Sequence, residues 1–119
     1  MLFRIDPGSP VPLGEQIAAC VRGAVADGQV TVGQRLPAAR ELADSLGINV
    51  HTVLRGYQRL REEGLIELRR GRGAVISQEA SAERVRLADE ARHLIDSARR
   101  LGLVDEEILD LVRGALTPG

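Results

Sequence analysis

The stretch Ala38-Ala-Arg-Glu-Leu-Ala-Asp-Ser-Leu-Gly-Ile-Asn-Val-His-Thr-Val-Leu-Arg-Gly-Tyr-Gln-Arg-Leu-Arg-Glu-Glu63 decides the fold. Leu42, Ala43 and Leu46 fall on one side of a helix that starts near Ala38, and Gly47 supplies its stop and a turn. Ile48 is apolar and plugs that turn into the core. Asn49 is placed to cap the next helix, its side-chain oxygen accepting from free amides of the first turn. That helix is predicted over Val50 to about Glu63, with Val53, Tyr57 and Leu60 inward and Gly64 at its end. Two helices joined by a short glycine-containing turn fit the helix-turn-helix plan. Other antiparallel helix pairs share that pattern, so the flanks have to decide.

They do. Downstream, Leu65 to Leu68 has strand character, Arg69 to Gly73 is a tight arginine-glycine turn, and Ala74 to Ile76 can return as the partner strand. Upstream, Leu13, Ile17, Val21, Ala24 and Val25 recur at helical spacing. They predict a first helix from about Pro12 to Ala26, stopping near Asp27-Gly28. Gly33 to Leu36 is a turn and a very short extended piece, halted by Pro37. The opening, with Pro7, Gly8, Pro10 and Pro12, cannot be a helix interior. Phe3 and Ile5 alternate there with Arg4 and Asp6, as in a short strand or extended arm. The expected fold is mainly α with a small β-hairpin wing: a winged helix-turn-helix spanning roughly Arg35 to Ile76, followed by a short two-helix tail.

Charge is divided along the chain. The net charge is −1, with every basic residue an arginine. Residues 35–73 carry eight arginines against five acids, and residues 79–119 carry six against nine. A basic reader attached to an acidic module fits that division. Phe3 and Tyr57 are the only aromatics, so a stacking platform for single-stranded bases is unavailable and RNA is a weak alternative partner. Cys20, His51 and His93 stand at unrelated places, without metal-ligand spacing or a convergent catalytic set. No enzyme activity, metal or cofactor is therefore expected. Cys20 neighbours the first apolar stripe and reads as a small buried hydrophobe rather than a reactive thiol. No apolar run is long enough to span a bilayer and no signal-peptide pattern opens the chain, so a cytoplasmic protein is expected.

In the tail, Leu87, Ala91, Leu94, Ala98 and Leu101 repeat with spacings of four and three, a heptad-like seam. Val85, Ala88 and Ile95 widen the apolar face. Gly102 ends this helix. Asp105 is then expected to cap a last helix carrying Ile108, Leu111, Val112 and Ala115. Two such helices bury little alone, so pairing with a second chain is the expected solution; the alternative is that they fold back on their own domain. The organisation expected is an arm over 1–10, a DNA-binding domain over 11–78 and a dimerisation tail over 79–119.

These residues resemble the GntR (gluconate repressor) family of bacterial regulators. The resemblance rests on Arg35-Leu-Pro-Ala-Ala-Arg-Glu-Leu-Ala-Asp-Ser-Leu-Gly-Ile48, Thr52-Val53, Leu60 to Leu65, and Arg69-Arg-Gly-Arg-Gly-Ala-Val-Ile76. It covers about Pro10 to Ser77. The short tail, with Asp6-Pro7, Pro12-Leu13 and Gln16-Ile17, resembles the YtrA-like subgroup. In that subgroup the tail dimerises the protein, which implies a homodimer, an inverted-repeat operator and repression. A small-molecule effector, if there is one, stays unidentified. Four positions depart from the family: Ala38 replaces a capping serine, Val50 an arginine or proline, Gly14 a frequent tyrosine, and Gly56 a frequent alanine.

The third helix is then expected in the major groove, with His51, Thr52 and Arg55 on its outward side. Arg55 suits the O6 and N7 edge of guanine, and Thr52 a phosphate or a thymine methyl. Asn49 combines capping with a phosphate contact. Arg40 matches the family's helix 2 arginine; pairing with Asp44 one turn on is its bland alternative. Arg59 and Arg61 lie later on the helix and touch phosphate or nothing, and Arg70, Gly71 and Arg72 form a wing tip suited to a narrow minor groove. The competing reading, from another class, is a winged helix used only for protein interaction. The charged wing and polar helix face argue against it.

Overall fold

Gly47 sits at φ 69° and ψ 35°, and the chain reverses there. A left-handed residue ends a helix at little cost only when it lacks a Cβ. The amide of Ile48 reaches back to the carbonyl of Ala43 at 3.0 Å, which closes the turn and delivers Ile48 onto the core. In the computed structural model, which describes residues 1–118, this turn joins α2 (Ala39–Leu46) to α3 (Val50–Glu62). Asn49 caps α3 as expected, its Oδ1 accepting from the His51 amide at 2.8 Å. The first residue before α2, Ala38, offers no side-chain cap.

The first helix, α1 (Leu13–Ala26), packs mainly against α3. Ile17, Ala18 and Val21 meet Val53, Tyr57 and Leu60 in one buried cluster. Each fully buried aliphatic side chain here is worth about 1.5–3 kcal/mol. The wing is β1 (Ile66–Arg69) and β2 (Gly73–Ile76), antiparallel, with Ile66 opposite Ile76 and Leu68 opposite Ala74. The strands begin and end within a residue of the sequence expectation. The short extended piece before α2 joins this hairpin. Leu36 donates to Ala74 at 2.9 Å, Ile76 donates to Gln34 at 2.8 Å, and Arg35 bridges to Val75. The N-terminal segment forms no strand, and residues 7–11 turn and bend ahead of α1. Gln16 pins it, donating to the carbonyls of Asp6 and Val11 and accepting from the Asp6 amide at 2.6 Å.

The two glycines that depart from the family pattern turn out to be partners. A Cβ on Gly56 would lie 2.7 Å from the Gly14 carbonyl oxygen, and one on Gly14 would lie 3.1 Å from that of Thr52. The two backbones approach closely because neither residue has a side chain. Gly56→Ala should therefore lower stability by about 1–3 kcal/mol through overpacking. It should do so despite the roughly 1 kcal/mol of helix propensity that alanine gains. Urea unfolding checks this; a variant as stable as the parent would contradict the tight approach.

The chain divides into two compact units, Met1–Arg86 and Leu87–Gly119. The break falls within α4 (Ala82–Arg100). Val85, read from the sequence as part of the tail's apolar face, is buried in the core of the first unit. In the second unit the rest of α4 is followed by α5 (Asp105–Leu116), with Ala98 and Ile108 buried. Asp105 is the first residue of α5 and does not cap it. Val104 is the cap, its amide donating to Glu107 Oε1 at 3.0 Å, while the Asp105 carboxylate pairs with Arg99 at 2.8 Å. Leu87, Leu94, Ile95, Leu101, Leu111 and Val112 are all exposed, as is Ala91.

Candidate nucleic-acid interface

The apolar period of α3 turns Val53, Gly56, Tyr57 and Leu60 inward, which leaves His51, Arg55 and Arg59 on the outside and Thr52 half-buried beside them. Tyr57 fixes the rotation of the helix. Its hydroxyl donates to the Pro37 carbonyl at 2.7 Å, and burial pushes its pKa well above the usual phenol value. Leu54, 46% exposed, also stands on the outer side.

The expected arginines differ in what already holds them. Arg40, on the first turn of α2, is exposed and forms no ion pair with Asp44 or with any other described residue. Arg55 and Arg70 are likewise exposed and unpaired among the described residues. Arg59 lies 3.6 Å from Glu15. Arg72 donates to the Gly33 carbonyl at 3.4 Å, a long contact that ties the wing tip to the strand edge. The tip itself is closed by the Arg72 amide on the Arg69 carbonyl at 3.0 Å, and exposes Arg70, Gly71 and Arg72. Arg69 pairs with Glu67 along β1 at 2.6 Å. Of the arginines expected at the interface, Arg40, Arg55 and Arg70 are the ones without a partner among the described residues, and so the most ready to meet phosphate or base edges.

Behind this face lies a cluster that sequence reasoning missed. Arg22 of α1 is 6% exposed. It reaches both oxygens of Glu63, at 2.8 and 2.6 Å, and Glu15 Oε1 at 2.6 Å. Burial alone would lower its pKa, but hydrogen bonds to Glu63 and Glu15 outweigh that and hold it above the ordinary arginine value. The available signal was position: Ala18, Arg22 and Val25 follow one another at spacings of four and three on the buried side of α1. Glu15, together with Pro12, Leu13 and Gly14, faces Thr52, Arg55, Arg59 and Glu62 across an open groove. Cys20 is half-buried, its thiol donating to the Arg4 carbonyl at 3.4 Å, so it packs the arm onto α1.

A helix-turn-helix whose second helix presents a free arginine, followed by an arginine-tipped hairpin, defines a winged-helix DNA-binding transcription regulator. The family model described as bacterial regulatory proteins of the gntR family matches residues 13–76, and the chain belongs to that family, in its YtrA-like subgroup. It is 32% identical over 117 residues to the HTH-type transcriptional repressor YtrA of Bacillus subtilis, covering 94% of this chain and 90% of that one. It is also 32% identical to the HTH-type transcriptional regulator Rv1152 of Mycobacterium tuberculosis, covering 90% and 88%. Among solved structures it resembles YtrA from Sulfolobus acidocaldarius, a GntR-family transcription factor, at 32% identity. The TM-score is 0.65, with 84% of this chain and 99% of that one covered. These relatives are transcriptional regulators. Among the described residues no helix is long and apolar enough to cross a membrane, and no group of three or more His, Cys, Asp or Glu is arranged to hold a metal ion.

Proposed function

We propose that this protein is a cytoplasmic, non-enzymatic repressor that binds an inverted-repeat operator as a homodimer. Each protomer lays α3 in a major groove and its wing on the flanking minor groove. The observation that carries this reading is the exposed, unpaired Arg55 on the outer face of α3, flanked by His51 and Thr52 and accompanied by the free arginines Arg40 and Arg70. Two donors on one planar group match guanine O6 and N7, the commonest specific contact in such interfaces. Arg70, at the exposed wing tip, suits the negative potential of a narrow minor groove. Arg40, Asn49 and Arg72 supply backbone contacts, which position the reader without selecting sequence, and Arg59 stands beside them against Glu15.

Repression is supported by the name of the Bacillus relative, and dimerisation by the second unit. Leu87, Leu94, Leu101 and Leu111 are each more than 40% exposed on one short helical pair. An apolar surface of that kind marks an interaction site, and a second copy offers a self-complementary cover. The residues assigned to the interface are Leu87, Ala91, Leu94, Ile95, Ala98, Leu101, Ile108, Leu111 and Val112, of which Ala98 and Ile108 support it from within.

The test is a gel-shift titration against the gene's own upstream DNA, at several salt concentrations. Salt-sensitive duplex binding with preference for that sequence is expected; no binding at low ionic strength would overturn the proposal. Arg55→Ala should lose about 1–3 kcal/mol of operator affinity, concentrated at one base pair, with a smaller change on random DNA. Equal losses on both would contradict base reading by Arg55.

A further inference from the structure

Glu15 stands on the wrong side of the charge argument. It is an acid on the groove wall opposite Thr52 and Arg55, on the face that meets a polyanion. Its carboxylate is not loose. Oε1 receives Arg22 at 2.6 Å, and Arg22 is itself clamped by Glu63 at 2.6 Å, so the acid is fixed from the core side. The other oxygen, Oε2, lies 3.6 Å from Arg59 Nε. The close approach at Gly14 and Gly56 brings the first turn of α1 flush with α3 and leaves Glu15 beside Arg59. Arg22 is already matched by Glu63, so the charge Glu15 offers its surface neighbour is not consumed in the core.

We infer that Glu15 is a positioning residue that tethers Arg59 and withholds one phosphate contact from the reading head, which limits binding to random DNA. This rests on the reading that α3 faces DNA. Sequence-independent affinity follows the number of phosphates neutralised, each adding about 0.9 to the slope of log affinity against log salt. A tethered arginine contributes less than one such unit on random duplex. Such a contact carries no sequence information, so the tether lowers the sequence-independent part of the affinity and leaves base selection to Arg55.

The test is a two-by-two set of variants, Glu15→Gln and Arg59→Ala alone and together, titrated on a random duplex from low to moderate salt. Gln keeps the length of Glu and still accepts from Arg22, so the fold is retained, as a melting curve checks. Glu15→Gln should steepen the salt slope by about 0.9 and raise low-salt affinity roughly threefold or more. In the Arg59→Ala background the same change should leave the slope where it was. Arg59→Ala alone should barely alter the slope, and this arm stands even if Glu15→Gln folds poorly. An equal effect of Glu15→Gln in both backgrounds would mean general charge repulsion and overturn the tether. So would a full unit of slope lost on Arg59→Ala alone. A parent protein that binds no duplex would defeat the DNA reading itself, whereas binding without these slope changes defeats the tether alone.

Discussion

Arg22→Ala is expected to destabilise the first unit by about 3–5 kcal/mol, the range for removing one partner of a buried ion pair. The side chain is nearly inaccessible, and Glu63, its principal partner, has 11% of its side chain exposed. Deleting the guanidinium takes away three short hydrogen bonds and leaves a carboxylate on each side of the gap, one on α1 and one at the end of α3. Their mutual repulsion and lost solvation make up most of the cost. A melting midpoint lowered by more than roughly 10 °C follows for a unit of this size. Arg22→Met combined with Glu15→Gln and Glu63→Gln should recover much of the loss, because it removes the two carboxylate charges that the single variant leaves uncompensated. Thermal unfolding of the single and triple variants checks both. A single variant within 1 kcal/mol of the parent would show that the cluster behaves as a surface pair.

That cluster also shows where sequence reading stops. The helices and the hairpin were legible because their signals are local: an apolar period, Asn49 before Val50, Gly47 after Leu46. The contact between α1 and α3 joins residues far apart in the chain. Gly14 and Gly56 therefore read as two separate departures from a pattern, when both lie at one close approach of α1 and α3. Arg22 could be seen on the buried side of its helix, but nothing local pointed to Glu63. The same limit applies at the candidate site. The period of α3 turns Arg55 and Arg59 outward alike. Only the position of Glu15 separates the free arginine from the held one. Val85 reads as part of the tail because one helical period runs unbroken through α4, while the packing puts it in the core of the winged unit. Asp105 looked like a cap because aspartate favours that position. Glu107 satisfies the free amide instead, and Arg99 takes the aspartate.

The tail gives the largest expected effect on DNA binding. Leu94 and Leu111 are 42% and 49% exposed, so Leu94→Glu with Leu111→Glu replaces surface side chains and costs the single chain little. At a two-fold interface each substitution appears twice, placing four carboxylates in an apolar seam where desolvation is unfavourable. Light scattering should report a monomer. Affinity for the full inverted repeat should then fall by about 10²–10⁴, because the second half-site is no longer bound at high effective concentration. Affinity for an isolated half-site should stay within a few-fold of the parent, since Arg55 and the wing are untouched. His93→Glu, on an exposed position of the same helix outside the apolar seam, is the matched control and should leave both mass and affinity unchanged. A double variant that remains dimeric and binds the full operator as before would move the interface off these helices and into the winged unit. The modest charge of a single reading head makes the first outcome the expected one. Residues 35–73 carry eight arginines against five acids, so the proposed dimer gains its hold on a duplex by presenting that modest excess twice.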